Sequence, residues 1–88
     1  MHQTLNITNE KGLHARASAK LVETVERFDA SATVMKDGLR ADGDSIMGLL
    51  MLAASCGTSI EVETQGPDAA PLAAALEALV TDKFGEAQ

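Results

Sequence analysis

Gly12-Leu13-His14-Ala15-Arg16 places a histidine and an arginine two residues apart, just where an apolar helical pattern begins at Ala15. His14 therefore falls at a helix N-terminus. The first backbone N–H groups of a helix lack intrahelical partners, and the aligned peptide dipoles present partial positive charge there, so the backbone itself would hold an anion beside His14. Arg16 adds a full positive charge with a planar fork suited to phosphate oxygens. The same field disfavours a protonated ring, so a neutral, nucleophilic imidazole is expected at pH 7. Such a ring can attack phosphorus and then hand the group on. Gly12 would allow a tight backbone approach that leaves the ring exposed. A histidine in this position also reads as a plain helix cap or surface residue, and spacing alone does not separate the two. The sequence shows no acid paired with His14, and no second His, Cys or Ser completes a hydrolase-like arrangement. An independent enzyme is not expected.

The elements that must position this run follow from periodicity. Leu5 and Ile7 alternate with Thr4, Asn6 and Thr8, the mark of a half-buried strand, and Asn9 to Gly12 interrupts it. From Ala15 to about Phe28, Ala17, Leu21, Val25 and Phe28 recur at helical spacing, with Lys20, Glu23, Glu26 and Arg27 on the other face. Glu23 and Arg27 have the spacing of an i,i+4 ion pair. Ser31–Lys36 and Leu39–Asp42 flank Asp37-Gly38, which suits a two-residue hairpin. Ser45 precedes the apolar stretch Ile46 to Ala54, and a Ser before it with Gly57 beyond it favours a short helix. Thr58 to Thr64 alternates as a fourth strand. Gly66-Pro67-Asp68 then opens a last helix with the stripe Leu72, Leu76, Leu79, Val80 and Phe84, ended by Gly85. The order β-α-β-β-α-β-α predicts a two-layer α+β domain, with four strands covered by three helices on one face.

Eighty-eight residues suffice for one domain, 1–88, and exclude a second. The core must be aliphatic, because Phe28 and Phe84 are the only aromatics. A chain this short buries roughly 60–65% of its unfolded surface, which leaves little room for a deep substrate cavity. The net charge of −6 argues against nucleic-acid binding, which needs a basic face. Residues 1–40 carry six Lys or Arg against five Asp or Glu, while residues 41–88 carry one against eight, so an anion site belongs in the first half. Cys56 is the only cysteine and no Cys/His cluster is present, so neither a disulfide nor a metal or other cofactor is expected, and Cys56 reads as a small buried or loop residue. His2 is too isolated from His14 to share a metal. Asp42-Gly43-Asp44 lacks the later Glu of a calcium loop. Met1 to Thr4 lacks the pattern of a secretory signal, and the nine residues from Ile46 to Ala54 are too few to span a bilayer, so a cytoplasmic protein without membrane insertion is expected.

Gly12-Leu13-His14-Ala15-Arg16 closely resembles the active-site motif of the HPr family, phosphocarriers of the bacterial phosphoenolpyruvate-dependent phosphotransferase system (PTS), with their nitrogen-branch NPr relatives. Asp44-Ser45-Ile46-Met47-Gly48-Leu49 resembles the family's second signature, around its regulatory serine. His14 and Ser45 lie 31 residues apart, as in the family. The resemblance covers essentially the whole chain and implies the HPr-like open-faced sandwich. It implies a monomer that accepts a phosphoryl group from Enzyme I on Nδ1 of His14, steadied by Arg16, and passes it to an EIIA-type domain of the sugar or nitrogen-regulatory branch. It also implies that Ser45 is a target of HPr kinase/phosphorylase, although a serine there serves equally as an N-cap. Some members bring a C-terminal carboxylate near the active centre.

Ala17, Lys20, Ile46, Met47 and Met51 are the expected partner contacts. Ile46 and Met47 are the outward pair, Leu49, Leu50 and Leu52 are core, and Met51 fits either place. Three features depart from the family pattern: Ala17 replaces a proline, Asp44 stands where a base is frequent, and Glu23 and Glu26 dilute the basic face of the first helix. Ala17 adds an N–H that phosphate or solvent could take. Lys83 is expected to complement the dipole of the last helix. A reading from another class is a regulatory docking protein with the same fold, whose partner changes on phosphorylation.

Overall fold

Alternation builds the first strand and then runs past it. The computed structural model describes residues 1–88. Strand β1 spans His2–Asn6, and Ile7 continues its ladder by donating to the Thr58 carbonyl oxygen at 2.8 Å and accepting from the Gly57 N–H at 2.8 Å. Leu5, Ile7 and Asn9 are all buried, so the period of two carries a polar side chain, Asn9, into the interior. Helix α1 is Ala15–Glu26, followed by strands β2 (Ser31–Lys36) and β3 (Leu39–Asp42), helix α2 (Ile46–Met51), strand β4 (Ser59–Gln65) and helix α3 (Ala69–Thr81). A 3-10 turn over Lys83–Gly85 ends the sequence of elements.

The sheet has the order β1-β4-β2-β3 with antiparallel neighbours throughout. Register sorts its two faces. Val62, Val34 and Ala41 lie opposite one another in a row across three strands, and all are buried. The adjacent row of Thr4, Glu61, Met35 and Arg40 faces away from the core. The helices cover the first face, burying Leu21 and Val25 of α1, Leu49 of α2 and Leu72, Leu76 and Val80 of α3 in one cluster with the strands. The expected open-faced α+β sandwich is the observed fold. Asp37 and Gly38 take φ values of +51° and +81°, the left-handed pair that a two-residue hairpin requires.

Boundaries differ from the sequence reading for physical reasons. Helix α1 ends at Glu26, where Arg27 and Phe28 tighten into i→i−3 bonds to the Thr24 and Val25 carbonyls. Arg27 turns its guanidinium to the Thr24 hydroxyl at 3.0 Å and does not pair with Glu23. Helix α2 stops at Met51, and the left-handed residue beyond its cap is Ala53, at φ +53°, not Gly57. Gly57 instead serves the β1 ladder. Phe84 is fully buried but lies outside α3, so it extends the stripe through the turn and not along the helix. Lys83 shares that turn and is not in the last turn of α3. Cys56 is exposed. No helix is long and apolar enough to cross a membrane.

Candidate functional site

His14 is held where strand, loop and helix meet. Gly12 at φ +66° brings the loop so close to the segment after α2 that an added Cβ would lie 2.5 Å from the Ala54 carbonyl oxygen. Only glycine fits that approach. The Leu13 N–H donates to the same oxygen at 2.8 Å, and Leu13 is buried. The buried Ser18 hydroxyl donates to the Leu13 carbonyl at 3.2 Å, locking the loop to the first turn of α1. His14 is thereby fixed as the N-cap of α1.

The two ring nitrogens have different neighbours. Nδ1 accepts the Arg16 N–H at 3.3 Å, so the capping atom carries its lone pair toward the helix N-terminus. Nε2 meets Oε2 of Glu86 in a short contact, and Oε1 of Glu86 accepts from the Asn9 amide at 3.1 Å. Asn9 also donates to the Gly12 carbonyl at 2.7 Å. An N–H directed at Nδ1 and a carboxylate at Nε2 favour the lone pair on Nδ1 and the proton on Nε2. The hydrogen bond with His14, and then that with Asn9, hold the Glu86 carboxyl below the ordinary carboxylate range, and Lys11 adds a smaller attraction.

The tail that carries Glu86 is pinned along its length. Phe84 anchors it in the core, the Lys20 ammonium donates to the Phe84 carbonyl at 2.5 Å, and the Glu10 N–H donates to the Gln88 carbonyl at 3.0 Å. Loop, helix start and tail enclose an open hollow of about 450 Å3, with Glu10, Lys11, His14, Arg16 and Glu86 among its walls. The Arg16 guanidinium makes no hydrogen bond or ion pair within the chain, and Arg16 borders that space. A ring nitrogen with a lone pair, the Arg16 N–H that it holds at 3.3 Å and a guanidinium without an ion-pair partner suit an incoming tetrahedral anion.

The other expected site residues divide. Ala17 is fully buried beneath the loop and does not present its side chain to a partner, nor does its N–H face solvent. Lys20 is half-buried with its charge spent on the tail, which removes it from the exposed basic face. Ser45 caps α2, its Oγ accepting the Gly48 N–H at 3.0 Å, and it does not line the His14 hollow. Ile46, Met47 and Met51 are exposed, at 40%, 71% and 75%. Met47 and Met51, four apart, share one side of α2. Leu50, expected in the core, is half-buried and lines a shallow depression with Lys11, Leu13, His14 and Ala54. It joins the apolar face of α2 to the histidine.

Sequence reasoning missed Asn9, and it reached the Glu86 carboxylate only as a C-terminal carboxylate implied by the family resemblance. Glu86 lies 72 residues from His14 and belongs to no local pattern. The usable signal was Asn9, a polar residue in phase with Leu5 and Ile7.

Comparison with known proteins agrees with this geometry. The family model described as the PTS HPr component phosphorylation site matches residues 1–82. The chain is 47% identical to phosphocarrier protein HPr of Neisseria meningitidis serogroup A over 88 residues, 100% of this chain and 99% of that protein. It is 42% identical to phosphocarrier protein NPr of Escherichia coli K12 over 85 residues, 96% of this chain and 94% of the other. The crystal structure of HPr-C-His from Thermoanaerobacter tengcongensis superposes with a TM-score of 0.94 at 35% identity, covering 100% of this chain and 99% of that one. With the histidine loop, the serine-capped second helix and the open sheet all in place, this chain belongs to the HPr family of PTS phosphocarriers.

Proposed function

We propose that the chain, as a single monomeric domain in the cytoplasm, accepts a phosphoryl group on Nδ1 of His14 from phosphorylated Enzyme I and passes it to an EIIA-type protein. One observation carries this: the lone pair of Nδ1 lies at the N-terminus of α1 while Nε2 is occupied by Glu86. The nucleophile and the cap are the same atom. In the transfer, Nδ1 forms a bond to phosphorus as the bond from phosphorus to the donor atom breaks, and its electron pair stays with the donor. The Arg16 N–H, released from Nδ1, then faces a phosphoryl oxygen, and the Arg16 guanidinium takes others. The chain is itself the covalent intermediate and does not turn over a substrate alone.

A carrier must bind its partners briefly, and α2 offers the means. Ile46, Met47 and Met51 form an adaptable apolar face continuous with the His14 loop through Leu50. Phosphorylation of Ser45 by an HPr kinase/phosphorylase would set a dianion among these contacts and weaken docking to an acidic partner.

Intact-mass measurement after incubation with phosphoenolpyruvate, magnesium and the cognate Enzyme I tests the proposal. Wild type is expected to gain one acid-labile phosphoryl group, and a folded His14→Ala variant none. Absence of the adduct from wild type rejects the carrier reading and leaves a docking protein. Adding EIIA-type domains of the sugar and nitrogen branches then assigns the acceptor by which one removes the group.

A further inference from the structure

We propose that Lys11 is the second cation of the phosphoryl site, its ammonium holding the oxygens of the group on His14 from the loop side while Arg16 holds them from the helix side. The inference rests on the reading of His14 as the phosphoryl acceptor. Three observations support it. Lys11 is exposed and borders the hollow that His14 and Arg16 share. It is also uncommitted: Lys20, Arg27 and Lys36 direct their side-chain donors to Phe84, Thr24 and Asp37, whereas Lys11, like Arg16, has no side-chain partner within the chain. Finally, its charge is felt beside the ring, because it attracts the Glu86 carboxylate that meets Nε2.

The charges around the hollow show why one arginine is not enough. Its charged walls, apart from the histidine, are Glu10, Glu86, Lys11 and Arg16. Arg16 alone against those two carboxylates would leave the space net negative, and a phosphoryl group brings about −1.5 to −2 more at pH 7. Lys11 balances the walls before the group arrives. An ammonium on a flexible stem can follow the phosphoryl oxygens as the bond from Nδ1 to phosphorus forms and the donor's bond breaks, whereas the guanidinium offers a fixed planar fork. Gly12, tight against Ala54, fixes the backbone from which Lys11 reaches. Lys11 therefore favours the loaded carrier and, as a neighbouring cation, the fully ionised form of its phosphoryl group.

Lys11→Gln tests this, and the fold should tolerate the change because the side chain is exposed and holds no partner within the chain. Spectra of 31P across pH are expected to place the second ionisation of the phosphoryl group about 0.5 pH units higher in the variant than in wild type, the scale of one exposed charge at short range. Loading at equilibrium with phosphorylated Enzyme I is expected to fall about threefold, and Lys11→Arg should restore both. An unchanged ionisation overturns the proposal. So does an equal slowing of acceptance and donation with loading unchanged, which would assign Lys11 to steering an acidic partner. If Enzyme I does not load wild type, the carrier reading fails separately. The role of Lys11 is then still decided by the same ionisation in a His2→Gln background loaded with phosphoramidate, whose phosphorus–nitrogen bond breaks to release ammonia as Nδ1 bonds to phosphorus.

Discussion

Two helices of this protein begin with a side-chain cap, and the caps are built for different ends. At α2, Ser45 accepts the Gly48 N–H at 3.0 Å, and the helix that follows exposes Ile46, Met47 and Met51. At α1, His14 accepts the Arg16 N–H at a longer 3.3 Å, and its ring is held from behind by Glu86. A serine cap is complete once its one bond forms. A histidine cap has a second nitrogen, and whatever occupies that nitrogen decides the state of the first. The α1 terminus thus carries a loosely held lone pair two residues from an arginine without an ion-pair partner, whereas the α2 terminus simply starts a contact helix.

The comparison can be broken most forcefully at the loop that supports His14. Gly12→Ala adds a Cβ against the Ala54 backbone at a positive φ and is expected to lower stability by about 3 kcal/mol, read by chemical denaturation. The same change at Gly57, where an added Cβ meets no atom within 4 Å, should lower it less, since only backbone strain remains. A loss at Gly12 no larger than at Gly57 would show that the close approach does not hold the loop.

Arg16→Ala is expected to slow phosphoryl transfer about a hundredfold in both directions while the acceptor stays in place, as loss of one donor to a developing oxyanion does. Normal rates in both directions would remove the guanidinium from the reaction. At the other cap, Ser45→Ala should lower stability by about 1 kcal/mol and leave uptake from Enzyme I unchanged, because Ser45 stands outside the His14 hollow. A fall in uptake with folding intact would join the two caps in one site.

The smallest effect is with pH. Glu86 is held below its ordinary value of 4.5, chiefly by the hydrogen bond with His14, so its stabilisation is fully present above that value and is lost as pH falls through the lower, folded one. The stability difference between wild type and Glu86→Gln should therefore shrink on acidification from pH 6 toward the acid limit of folding. A difference that persists unchanged at low pH would mean that the carboxylate charge is not what the tail contact uses.

Much of this molecule was legible before any coordinates. Alternation located the strands, and β2 and β3 fall at Ser31–Lys36 and Leu39–Asp42 as read, because a hairpin with Asp37-Gly38 leaves little freedom of register. Both caps were visible, since a cap is a contact between residues two or three apart. Ile46 and Met47 were placed outward correctly. Leu50 and the end of α2 were misjudged, because a nine-residue apolar stretch carries no polar residue to mark which side is wet or where the helix stops. Ala17 is expected from the sequence to meet partners, at a position where its N–H could take phosphate or solvent, but a small side chain in the first turn of α1 packs against the core.

The sequence by itself determined the order of the elements, the N-terminal position of His14 and the pairing of a phosphate-compatible arginine with it, all properties of local spacing. Tertiary structure alone decided that Asn9 turns inward, that Lys20 serves the tail, and that Glu86 reaches the far nitrogen of His14. Those contacts span up to 77 residues and depend on where α3 ends and how the chain reverses after it. No periodicity encodes such a meeting, because it is the packing of Phe84 into the shared core that brings the two ends of the chain together.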